Sequence, residues 1–122
     1  MFLKFHTTEV TFEQEDDDLV TFVWFAAAER RHYLFLSRFK ALTGSNDLEI
    51  ERDDQKWLSH GGVTACRVSS TAVDLAFSEE ASAALGGLHK ARIEFSLDPG
   101  LLSQLTKTMS LLFRGNDGFS IA

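Results

Sequence analysis

The stretch Asn46–Val63 reads NDLEIERDDQKWLSHGGV, and its interpretation decides the fold of the whole chain. Leu48 and Ile50 share one parity and Glu49 and Glu51 the other, so the segment opens as a strand with an apolar face and an acidic face. It leaves through a run of charge at Arg52, Asp53 and Asp54, followed by Trp57 and the pair Gly61 and Gly62. Phe-rich sheet is expected before it, and further sheet with two helices after it.

Upstream, FLKFHTTEVTF changes parity part-way, from Leu3 and Phe5 to Val10 and Phe12, which predicts one strand bent or bulged near Thr7. Five of the six residues from Glu13 to Asp18 are carboxylates. Their mutual repulsion reads as a solvated hairpin loop, and the glycine and ligand spacing of a calcium-binding EF-hand is missing. From Leu19 to Ala27 both parities are apolar, Val20, Phe22 and Trp24 against Val23 and Phe25, as in a central strand covered on both sides. His32 to Phe39 repeats this with Leu34 and Leu36 opposite Tyr33 and Phe35, and the two segments form an antiparallel pair. Thr43 to Asn46 is turn chemistry.

Downstream, Val63–Val68 and Ala72–Phe77 are short strands. Ser78 stands where a helix N-cap belongs, with Glu79 and Glu80 in the first turn, and Gly86 and Gly87 stop that helix after Leu85. His89 to Leu97 alternates, Ala91, Ile93, Phe95 and Leu97 inward. Asp98 and Pro99 start a second helix, whose apolar face carries Leu101, Leu102, Leu105, Met109, Leu112 and Phe113. The tail RGNDGFSIA frays or folds back on the body. The sum is an α+β fold, a mostly antiparallel sheet of about seven strands with a long C-terminal amphipathic helix and one short helix, in a single domain spanning residues 1–122. Two helices cannot cover both faces of the central strands, which predicts a homodimer or another partner on the remainder.

Composition sets the outer bounds. A chain of 122 residues, 44% hydrophobic and 25% charged, is that of an ordinary globular protein, burying about 65% of its unfolded surface. It contains no apolar run of membrane-spanning length, and MFLKFHTTEV alternates where a signal peptide would be continuously apolar, so a cytoplasmic location and no membrane association are expected. Cys66 is the single cysteine and cannot form an internal disulfide. The net charge of -6 opposes nucleic-acid binding and suits a basic partner.

Catalytic motifs are missing: no nucleophile elbow, no phosphate-binding loop, no dinucleotide fingerprint and no zinc-protease helix. His6, His32, His60 and His89 have no metal-ligand spacing. Cys66 and His60, six residues apart across the glycine pair, make a nucleophile–base candidate, against which a buried structural thiol is the plainer reading. Glu49, Glu51 and Asp53 share one strand face, suited to solvent or a partner. Arg67, Lys90 and Arg92 form a small basic strip without the interleaved aromatics of a single-strand binder. No cofactor and no metal are expected.

The pattern of Glu51, Gln55 four residues on, Trp57, and Gly61-Gly62-Val63 resembles the signature of the Imm10 family of predicted bacterial immunity proteins. Leu36-Ser37-Arg38 before it, the alternating Ile93-Glu94-Phe95-Ser96 and the helix end Leu111-Leu112-Phe113 after it are similar too. Glu49 and Ile50 stand where the family has an aromatic before the glutamate, and His60 where an aromatic precedes the glycines. The resemblance implies an α+β domain without catalysis that binds and neutralises the cognate toxin of a polymorphic toxin system. Glu49, Glu51, Asp53, Asp54 and Gln55 are then the partner-facing edge, Trp57 an aromatic anchor, and Gly61 and Gly62 a structural turn at positive φ. The competing readings are a structural or scaffolding homodimer and a small hydrolase around His60, Cys66 and the acidic strand.

Overall fold

The computed structural model describes the backbone of residues 1–7, 9–14, 20–26, 32–39 and 48–122, without the side chains at 9, 12–14, 20–26, 39 and 54–56. Of the acidic run Glu13–Asp18 expected as a loop, Glu13 and Gln14 instead continue a strand, paired with Phe22 and Thr21, while residues 15–18 and the turn at 43–46 lie outside the described residues. The elements in chain order are β1 (Phe2–Thr7), β2 (Glu9–Gln14), β3 (Val20–Ala26), β4 (Tyr33–Phe39), β5 (Leu48–Arg52), β6 (Asp54–His60), β7 (Val63–Val68), β8 (Ala72–Phe77), α1 (Glu79–Ala84), β9 (Lys90–Phe95), α2 (Pro99–Leu112) and β10 (Phe119–Ile121). The fold is α+β, as expected, but the strands form two five-stranded sheets in place of one sheet of about seven.

One sheet is the antiparallel meander β2-β3-β4-β5-β6; the other has the order β1-β9-β8-β7-β10. In the second sheet both edge strands, β1 on β9 and β10 on β7, run parallel to their neighbours. The single bent strand expected over residues 2–12 is therefore two strands in different sheets. The change of parity near Thr7 marks the crossing: β1 buries Leu3, Phe5 and Thr7 against β9, and the chain then joins β3 as β2.

The stretch Asn46–Val63 also holds more than the one strand read in it. β5 turns at Asp53 and returns as β6, with Glu49 opposite His60, Ile50 opposite Ser59 and Glu51 opposite Leu58. Asp53 makes the reversal at φ 57°, the one described non-glycine residue in the left-handed region, which Asp tolerates better than most side chains. The tail is likewise ordered. β10 pairs Phe119 with Cys66, and the Phe119 ring stacks on Phe113 at 5.5 Å.

Both helices begin where their caps predict. Ser78 Oγ accepts from the Ala81 amide at 3.2 Å and Asp98 Oδ1 from the Leu101 amide at 2.9 Å. α1 packs against β6 and β8, and α2 against β2, β3 and β4. Leu105, Met109 and Leu112 of α2 are buried with Phe113, but Leu101, expected on the same face, is exposed in the first turn. Arg38 shares the face of Leu34 and Leu36 and donates to the carbonyls of Leu112 and Arg114, so the end of α2 sits on the core side of the meander. One core joins Leu34, Leu36 and Ile50 of the meander, Ile93, Leu75 and Val68 of the other sheet, and α2. The uncovered face expected on the central strands concerns β3, whose side chains lie outside the described residues, and β4, where Tyr33 and Phe35 are half-buried. No described helix is long and apolar enough to cross a membrane.

Candidate partner-binding site

The β5–β6 hairpin separates the predicted residues onto two faces. Leu48, Ile50 and Arg52 point into the core, so Glu49 and Glu51 point away from it beside Tyr33, Leu58 and His60. Glu51 accepts a 2.7 Å hydrogen bond from the Tyr33 hydroxyl, and Glu49 lies 3.3 Å from His60 Nδ1. Both carboxylates remain partly accessible, and the face is acidic.

Asp53 has a local task at the hairpin tip. It accepts the Tyr33 amide at 2.9 Å and the Arg52 guanidinium at 2.7 Å, with His32 Nδ1 at 3.2 Å. Those contacts hold the start of β4 to the reversal. The side chains of Asp54 and Gln55 lie outside the described residues. Trp57 is turned away from the glutamates: its ring lies 5.6 Å from the Arg52 guanidinium carbon and borders Gly86 at the end of α1. The structure thus brings Glu49 and Glu51 together and places Trp57 on the opposite face.

Gly61 and Gly62 both have positive φ, 75° and 87°. A Cβ on Gly62 would collide with the Ala81 side chain and come within 2.9 Å of Ser78 Oγ, while the Gly62 carbonyl accepts the Ser78 amide at 2.8 Å. The second glycine lets α1 seat directly on the turn. Arg52 and Tyr33 are the members that sequence reasoning missed. Arg52 is buried, donates its Nε to the Leu85 carbonyl at 2.6 Å and bridges Asp53 to Trp57. Its signal is an Arg at the same parity as Leu48 and Ile50, masked by the charged residues that follow it.

Cys66 is not an activated nucleophile. Cys66 is 1% exposed, and burial, with a smaller contribution from Asp74, pushes its thiol well above the usual range, so the thiolate is suppressed. Among the described residues no group of three His, Cys, Asp or Glu side chains can hold a metal ion. Of the basic strip, Arg92 is paired: it makes two bonds to Asp74, 2.9 and 2.7 Å, and lies 3.6 Å from Glu94, which also meets Lys4.

Fold and face define a small α+β protein whose hairpin presents an acidic, hydrogen-bonded surface. The family model of Imm10, Immunity protein 10, matches residues 6–103, well over half of the chain, and the chain belongs to that family. Comparison with curated proteins found no match, and comparison with solved structures found none.

Proposed function

We propose that this chain is a non-enzymatic immunity protein, acting as one domain over residues 1–122 in the bacterial cytoplasm, where it binds and neutralises the cognate toxin domain of a polymorphic toxin system. Membership of the Imm10 family is the observation that carries the reading. The acidic face supports it, because a net charge of -6 with Glu49 and Glu51 held outward favours encounter with a basic toxin surface. In this reading Glu49 and Glu51 meet the partner, the tip with Asp53, Asp54 and Gln55 extends the contact, and Trp57 with Arg52 holds the hairpin against α1. Gly61 and Gly62 shape the support beneath it.

The test is co-expression with the toxin encoded beside this chain. Cells producing the toxin survive when the chain is present and die when it is absent; unchanged killing by every linked toxin would overturn the proposal. Size measurement in solution separates it from a scaffolding homodimer, which would be dimeric without any toxin.

A further inference from the structure

The last strand of the meander has one side without a strand, and the register shows which of its groups are left there. The Gly61 amide donates to the Leu48 carbonyl at 2.7 Å, so Leu48 and Gly61 are a hydrogen-bonded pair of the antiparallel ladder. Such pairs alternate. Ile50 with Ser59 is then the next bonded pair, and Glu49 with His60 and Glu51 with Leu58 are the unbonded ones. The other side of β5 agrees: Asp53 donates to Tyr33, which places Glu51 and Glu49 in bonding register with β4. The amides and carbonyls of Leu58 and His60 consequently point to the free edge of β6. Among the described residues no group bonds them there.

That edge opens into a cleft of about 490 Å³ between β6 and α1, lined by Leu58, His60, Ser78, Glu80, Ala81 and Ala84 among others. A free strand edge facing a helix across a cleft is the geometry in which an extended segment adds as a further strand. His60 and Glu80 are the ionisable side chains in the lining, and His60 is paired in turn to Glu49 on the neighbouring strand. The charge there calls for a basic guest. It also disfavours a second copy of the chain, since two-fold pairing of β6 on β6 would set these acidic groups against themselves with -6 on each molecule.

Resting on the immunity reading, we infer that the cognate toxin contributes an extended segment with Lys or Arg at alternate positions, which pairs with the main chain of Leu58 and His60 in the cleft beside α1. The four edge groups supply the register, and Glu80 in the lining, with Glu49 behind His60, selects the side chains.

The experiment is amide hydrogen exchange on the full chain, alone and with the catalytically disabled toxin encoded beside it. The Leu58 and His60 amides exchange readily in the free protein and at least about tenfold more slowly in the complex. His60→Pro deletes an edge donor without touching the β5 ladder, whereas His60→Ala keeps the amide. The proline variant therefore binds at least about tenfold more weakly than the alanine variant, the loss of roughly one well-made hydrogen bond. Equal losses would assign the effect to the imidazole and overturn the edge pairing. An intact complex that protects other amides and leaves these two unprotected would overturn it while leaving the immunity reading standing. No complex and no neutralisation would overturn both. Protection that grows with the concentration of the chain alone would put a second copy on the edge and overturn the toxin segment as its occupant.

Discussion

Gly62 and Gly87 share a left-handed backbone but not an environment. Gly62 faces the Ala81 side chain, while nothing lies within 4 Å of the Cβ position on Gly87. Gly87→Ala is expected to cost only the backbone penalty, about 1–2 kcal/mol. Gly62→Ala adds overpacking and is expected to cost about 2–4 kcal/mol in total. Urea unfolding of the two variants measures the difference; equal losses would mean that α1 does not depend on the close approach. Cys66 yields a prediction in pH. Its folded thiol is held above the unfolded value, so folded and unfolded chains bind the same proton at neutral pH, and the unfolded chain releases it first as pH rises. The contribution is fully present below the ordinary thiol pKa of about 8.5 and falls by about 1.4 kcal/mol per pH unit above it. Compared with Cys66→Ala, the native chain should lose stability more steeply in that alkaline window, and parallel curves would refute the assignment.

The β5–β6 hairpin is tied to α1 through one side chain. Arg52 makes two charge-assisted hydrogen bonds, to Leu85 and Asp53, so Arg52→Ala is expected to destabilise by about 3–5 kcal/mol, with Asp53 left partly buried and unneutralised. Arg52→Lys should recover little, since a lysine lacks the planar fork that reaches both partners. Thermal unfolding with exchange at the hairpin amides reads both effects. Elements whose signals are local were legible in advance: the cap at Ser78, the Asp98–Pro99 start and the alternation of β9 all arise from neighbouring residues. β6 was not legible, because its turn is made by an aspartate at φ 57° where a glycine or asparagine is the usual marker. β10 was missed because three residues carry too little pattern, and the strand is held by pairing with β7 and by the Phe113–Phe119 stack.

For the molecule as a whole, the net charge of -6 and the outward glutamates predict that association with the proposed toxin partner is steered by long-range electrostatics. On the proposed immunity function, the association rate with a basic toxin domain is expected to fall by at least about tenfold between low salt and roughly 0.5 M, where the screening length shrinks to a few ångströms. The double variant Glu49→Lys with Glu51→Lys should lower that rate and flatten its salt dependence. Stopped-flow mixing provides the measurement, and a salt-independent rate in the native chain would count against the acidic face as the docking surface.

The sequence by itself determined the class of fold, the helix boundaries, the buried parity of β5 and β9 and the family, because each is carried by neighbouring side chains or by a motif of a few residues. Tertiary structure alone decided how the strands divide between two sheets, since parity reports which residues share a face and not which partner lies beside them. It also decided the faces of Asn46–Val63. Only the closing of β6 on β5 set Glu49 beside His60, turned Trp57 toward Arg52 and left the main chain of Leu58 and His60 on an open edge.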